Sequence, residues 1–207
     1  GAARVRWAAS MPVAEHLVPG WLAALRRQGD APRVVLTATN STAVAELVRS
    51  GAVDLGLVEG PDPLADLQQV VVGRDELVLV VAPEHPWARR RGPVEAAVLA
   101  RTPLVTREVG SGTRTALEQA LGGPGPAPVL EVSTATAVRE SVRAGWGPAV
   151  LSRLAVAGYL RERRLVEVAV RGVDLGRRLR AIWVGGAMPP PGPARDLVAL
   201  AGAARLP

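Results

Sequence analysis

The 207 residues carry 25 basic and 19 acidic side chains, a formal charge of +6 and 48% hydrophobic residues, enough apolar material for one large domain or two small lobes. There is no cysteine and there are only two histidines, which excludes a disulfide framework, a thiolate zinc site and a histidine-rich metal centre. Every basic residue is arginine, the arginines are scattered along the chain and aromatics are 3%, so the positive charge alone does not describe a nucleic-acid-binding surface.

The first predicted element is a strand at residues 5–9. Ser10 follows as a candidate N-cap, and Val13, Leu17, Val18, Trp21, Leu22 and Leu25 recur with a helical period. Pro19 and Gly20 fall inside that series and are expected to kink or split the helix. The series is wider than one core-facing stripe requires, which leaves apolar surface for a partner subunit. Residues 34–38 read as a second strand, Thr39, Asn40 and Ser41 supply cap chemistry, and Val44, Leu47 and Val48 mark a helix ending near Gly51. A third strand at residues 55–58 is closed by a turn at Glu59, Gly60 and Pro61. Strands alternating with helices in this way predict a parallel sheet built from right-handed crossovers.

Residues 77–82 form a strongly apolar strand, and Pro83 and Pro86 signal departure from the first sheet, so the first crossing between two lobes is placed here. His85 lies in a turn, His16 in the first helix, and the Arg89-Arg90-Arg91 run reads as a solvated loop. Further on come a helix at 94–100, a strand at 103–106, a helix from Gly112, a strand at 129–132 and a helix opened by Ser133 and Thr134. A strand at 148–151, a short helix capped by Ser152 and a strand at 165–170 follow. The apolar strand at 179–184 is the return crossing, and a helix at 193–203 closes the chain. The expected architecture is α/β: lobe I from residues 1–81 and 183–207, lobe II from residues 82–182, and a ligand cleft between them. Neither a secretory leader nor an apolar run of about 18 residues is visible, so a cytoplasmic protein with no membrane partner is expected.

In open α/β sheets ligands bind at the carboxyl ends of strands, where helix N-termini converge. The polar residues of this chain gather at those ends: Ser10; Thr39, Asn40 and Ser41; Glu59; Arg107 to Thr113; Ser133 and Thr134. The stretch TREVGSGTR (residues 106–114) is the most informative. Gly110 and Gly112 are expected to permit φ > 0 and close approach of a ligand, while Ser111, Thr113 and the free amides of the first helical turn attract an anion. Each of these residues also has a plain reading as a helix cap, and Arg107 and Arg114 as surface residues beside a turn. Glu59 in an anion site calls for an arginine partner, a donor on the ligand, or solvent. No catalytic constellation is present: Ser111 has no histidine base, and GSGTR matches neither GxSxG nor a phosphate-binding P-loop. Binding without turnover, metal or cofactor is the expectation.

The segments ASMPVAEHLVPGWLAALRR, VRSGAVDLGLVEGP, RDELVLVVAPEHPWA, TREVGSGTR and STATAVRESVRAGWGPAVLS together resemble the effector-binding domain of LysR-type transcriptional regulators. The likeness runs over essentially the whole chain and is greatest to the branch that includes regulators of carbon fixation and sulfur assimilation. It implies a type 2 periplasmic-binding-protein fold, two Rossmann-like lobes joined by two crossing strands. It also implies a small anionic or zwitterionic effector contacting Ser10, Met11, Thr39, Asn40, Ser41, Glu59, Arg107, Gly110, Ser111, Gly112, Thr113, Ser133 and Thr134. The same resemblance implies head-to-tail homodimers or homotetramers. DNA would be contacted only through a winged helix-turn-helix domain, expected N-terminal to this chain and absent from it. A solute-binding protein of the same fold serving a transporter is the alternative reading, and a transferase or dehydratase built on it a second.

Overall fold

The computed structural model describes residues 4–29, 32–60 and 63–203. Two compact units make up the chain: one takes the residues up to Arg74 and those from Arg178 onward, the other runs from Asp75 to Arg177.

In the first unit β1 (Arg4–Ser10) lies between β2 (Arg33–Thr39) and β3 (Leu55–Glu59), all parallel, with Ser10 opposite Thr39 and Ala9 opposite Leu57. The return strand β11 (Gly176–Trp183) runs antiparallel to β3, placing Leu179 opposite Glu59. β3 is buried along its whole length because helices cover both faces, which is why LGLVE reads as a continuous apolar run rather than an alternating one. On one face α3 (Ser41–Arg49) buries Val44, Ala45 and Val48 against Ala8, Val58 and Ile182. Another layer comes from α1 (Met11–His16), α2 (Val18–Gln28) and α8 (Pro193–Ala203), with α2 against both α1 and α8.

The first helix is split, as Pro19 and Gly20 suggest, but the break falls at Leu17. Its amide still bonds Val13 O, and Pro19 is placed in the first turn of α2, where a missing N–H costs no intrahelical bond. Ser10 stands at the N-cap position of α1 without capping it. Its hydroxyl is committed elsewhere, as described below. Asn40 does cap, its Oδ1 accepting the Ala43 amide at 2.8 Å. Pro61, assigned from sequence to the turn after β3, lies outside the described residues.

β4 (Gln68–Val81) starts nine residues before the apolar run that signals it, because Gln68, Gln69, Arg74, Asp75 and Glu76 hide its first half behind polar side chains. In the second unit it pairs antiparallel with β8 (Ala149–Ser152) and β9 (Val166–Val168). Successive strand residues point to opposite faces. Leu77, Leu79 and Val81 accordingly pack with Val94, Leu99, Leu104 and Leu117, whereas Val78 and Val80 pack with Val105, Val138, Val142 and Leu165. Complete burial of each such aliphatic side chain contributes about 1.5–3 kcal/mol.

The predicted helix at 94–100 begins as a two-residue strand, β5 (Val94–Glu95), and continues as the four-residue α4 (Ala96–Leu99). The strand predicted at 165–170 is likewise interrupted: β10 (Val170–Arg171) leaves β9 to pair with β5. Two further short strands, β6 (Val105–Thr106) and β7 (Leu130–Glu131), run parallel and feed α5 (Gly112–Ala120) and α6 (Ala135–Arg143). α7 (Arg153–Arg161) follows, capped by Ser152 Oγ accepting the Leu154 amide.

His85 opens a 3-10 turn, Pro86–Arg89, its Nδ1 accepting the Trp87 amide at 3.0 Å. Burial holds its pKa below the ordinary 6.5. Between those two values the unfolded chain binds more protons than the folded one. The stability this neutral ring contributes is therefore fully present above pH 6.5 and is lost as pH falls from there through the folded pKa. Melting temperatures of the protein and of His85→Gln are expected to diverge between about pH 7.5 and 5, with the variant losing less on acidification. Parallel pH profiles would count against this role.

Candidate functional site

The parallel register of β1, β2 and β3 brings their carboxyl ends to one edge of the first unit. Ser10 and Thr39 are register partners there, and Glu59 ends β3. Ser10 Oγ donates to Glu59 Oε1 at 2.8 Å, and the Glu59 amide donates to Ser41 Oγ at 3.2 Å. Both Ser10 and Glu59 are buried. This contact, rather than a helix cap, is what the Ser10 hydroxyl does. A carboxylate that already accepts one hydroxyl has further lone pairs for a donor, so the first unit offers an acceptor-rich cluster. Asn40 spends its side-chain oxygen on α3, Met11 starts α1, and Thr39 ends β2, all three half-buried.

In the second unit β6 and β7 run side by side, Thr106 opposite Glu131, and the Val132 amide donates to Thr106 O at 2.9 Å. Arg107 to Thr113 after β6 and Ser133 with Thr134 after β7 therefore leave the same end of a two-stranded sheet. Gly110 has φ 95°, a left-handed conformation that a side chain would oppose. Gly112, expected to share that property, does not: it is the first residue of α5 and takes ordinary helical backbone. The first intrahelical bond of α5 runs from the Thr115 amide to Ser111 O, so the amides of Gly112, Thr113 and Arg114 have no partner within the helix. Ser111 occupies the N-cap position, is buried, and makes no side-chain cap.

Arg107, also buried, is held by two hydrogen bonds from its guanidinium to the Glu108 carboxylate, at 2.8 and 3.3 Å. Arg114 donates to Glu118, Glu131 and Arg107 O. Burial disfavours the charge of Arg114, but the hydrogen-bonded carboxylates of Glu131 and Glu118 outweigh that and raise its pKa. It thus ties α5 to β7 and the turn. Thr134 caps α6, accepting the Ala137 amide at 3.0 Å, and Ser133 is exposed beside it. The sequence shows Arg107 and Arg114 as candidates but not their acidic partners: the adjacent Glu108 for Arg107 and, for Arg114, Glu118 one turn on and Glu131 seventeen residues away. Among the described residues no cluster of three His, Cys, Asp or Glu side chains is arranged to hold a metal ion. None of their helices is long and apolar enough to cross a membrane.

Residues 1–204 match the model of the LysR substrate binding domain. The chain belongs to that family. It is 50% identical over 209 residues to an uncharacterized HTH-type transcriptional regulator of Mycobacterium tuberculosis, a match covering 96% of this chain and 67% of the relative. YeiE, an uncharacterized HTH-type transcriptional regulator of Escherichia coli, is 33% identical over 181 residues, covering 86% of this chain and 60% of its own length. The regulatory domain of Synechocystis PCC6803 CcmR, solved in complex with 2-PG, has the same fold: the TM-score is 0.84 at 20% identity, with 97% of this chain and 96% of that one covered. The LysR domain described here therefore has the type 2 periplasmic-binding-protein fold of the effector-binding domains and is a ligand-sensing regulatory domain.

Proposed function

We propose that this LysR domain senses a small anionic or zwitterionic metabolite through the strand-end groups described above. Control passes to a DNA-binding domain elsewhere in the full protein. The observation that carries this reading is the start of α5, where a left-handed glycine turn presents a buried, non-capping serine hydroxyl beside three amides without helical partners. Such a helix start binds anions through its dipole and its amides together. Arg107, Gly110, Ser111, Gly112, Thr113, Ser133 and Thr134 are the proposed contacts for the acidic group. In the first unit Ser10, Met11, Thr39, Asn40, Ser41 and Glu59 are the proposed effector contacts, with Glu59 accepting from an ammonium or hydroxyl.

The domain works as a non-enzymatic cytoplasmic sensor in a homodimer or homotetramer. Effector binding shifts the population between conformations, and the DNA-binding domain of the full protein reads that shift. The regulator names of the M. tuberculosis and E. coli relatives favour this over a transport role, and the CcmR regulatory domain of the same fold was solved in complex with 2-PG.

Thermal shift against small carboxylates, phosphorylated metabolites, sulfate, sulfite and amino-acid derivatives tests it. Saturation at 100 times Kd contributes about 2.7 kcal/mol, a rise of roughly 5–10 °C for a domain of this size. Ser111→Ala is expected to weaken the hit by about 1.5–3 kcal/mol, with a smaller loss for Ser133→Ala. A flat panel, or unchanged affinity in both variants, would remove the assignment.

A further inference from the structure

The start of α5 offers an anion several donors but no uncompensated cation. Ser111 is 3% exposed and its hydroxyl caps nothing, and the amides of Gly112, Thr113 and Arg114 have no partner within the helix. Such a helix start amounts to about half a positive charge. Two guanidinium groups belong to the same stretch, and both are already balanced. Arg107 gives Nε and Nη2 to the two oxygens of the Glu108 carboxylate at 2.8 and 3.3 Å, and Arg114 is held by Glu118 and Glu131. Three carboxylates therefore answer two cations beside one helix start. Glu108 is built into the turn itself: the Ser111 amide donates to Glu108 O at 3.2 Å across Gly110, so Glu108 opens the turn that Ser111 closes. At 5% and 28% side-chain exposure, the Arg107 and Glu108 pair is screened far less than an ion pair on the open surface.

We infer that Glu108 sets the charge of the effector, an inference that rests on the anion-sensing reading above. The site takes a group with a single negative charge, a carboxylate or a sulfonate, and discriminates against a dianion such as sulfate or an ionised phosphate monoester. One negative charge is met by the half charge of the helix start and by hydrogen bonds from Ser111 and the amides. A second gives up its hydration and finds no guanidinium without a carboxylate on it. Glu108 acts through Arg107 and is a positioning residue: it spends on an internal pair the charge that a dianion would need.

Sulfate and methanesulfonate test this, since both are tetrahedral at sulfur and they differ by one charge. Titrations of the 207-residue chain at constant ionic strength are followed through the amide resonances of Gly112, Thr113 and Arg114. In the parent, methanesulfonate is expected to bind about tenfold more tightly than sulfate. Glu108→Gln keeps the shape and removes the charge, and is expected to strengthen sulfate about tenfold or more, bringing it level with methanesulfonate or past it. Arg107→Gln combined with Glu108→Gln removes both charges and should restore the parent's preference. A parent that prefers sulfate, or an unchanged ratio in Glu108→Gln, overturns the inference while leaving an anion site in place. A double variant that keeps the sulfate gain overturns the route through Arg107. Saturable shifts from neither anion, in the parent and in Glu108→Gln alike, overturn the site and the inference with it. The parent's own preference needs no variant, so it decides the charge class even if a substitution does not fold.

Discussion

Asp75→Ala is expected to destabilise the second unit by about 3–5 kcal/mol, lowering its melting temperature by roughly 6–20 °C. Asp75 Oδ2 accepts from Arg177 Nη2 at 3.0 Å and Nε at 3.2 Å, and both side chains are essentially withdrawn from solvent, at 2% and 1% exposure. The other carboxylate oxygen, Oδ1, accepts the Glu76 amide at 2.8 Å. Removing the carboxylate takes two hydrogen bonds and a negative charge from a guanidinium withdrawn from solvent, and breaking a buried pair from one side in this way costs more than the attraction alone. The pair stands where the chain enters and leaves the unit, within β4 and β11. Replacing both partners together, Asp75→Leu with Arg177→Met, should recover most of the loss, since an apolar pair of similar volume has no buried charge to strand. Thermal or urea melts of the three variants decide the point. A single variant melting within about 2 °C of the parent would show that the cost is being relieved elsewhere.

That pair also marks where sequence reading stops. The alternation of strands and helices, the helix starts after β2, β6 and β7, and the placing of Ser10 and Glu59 at strand ends and of Ser111 before a helix follow from hydrophobic period and cap chemistry, which are local. The first half of β4 does not, because Gln68, Gln69, Arg74, Asp75 and Glu76 interrupt the apolar pattern, and Val70 and Val71 between them are exposed rather than core. Ser10 shows a different limit. A serine after a strand gives the same local signal whether its hydroxyl caps a helix or, as here, donates to a carboxylate 49 residues away. Partners at such separations, like Asp75 with Arg177 or Arg114 with Glu131, are set by packing, and a single sequence carries no record of them.

Gly56→Val is expected to cost the first unit about 1–3 kcal/mol or more through overpacking, and to loosen the strand-end cluster with it. Glycine in the middle of a buried strand is a poor choice by propensity, and the usual reason for one is a close approach by a neighbour. Here the approach is from α3 and β11: a β-carbon at Gly56 would stand 2.8 Å from Val48 Cγ2 and Ile182 Cγ1 and 2.9 Å from Val44 Cγ1. These are atoms of a core without slack, since Val44, Val48 and Ile182 are all buried. The helix has to retreat from β3 to admit the side chain. Its N-terminus carries Ser41, whose hydroxyl accepts the Glu59 amide, so the retreat lengthens the 3.2 Å contact that fixes Glu59 at the strand end. A lower melting temperature should therefore come with faster exchange of the Glu59 amide, and Gly56→Ala should show the same pattern at smaller amplitude. Normal exchange at Glu59 in a destabilised Gly56→Val protein would separate the two effects, leaving the glycine a packing role and removing it from the support of the candidate site.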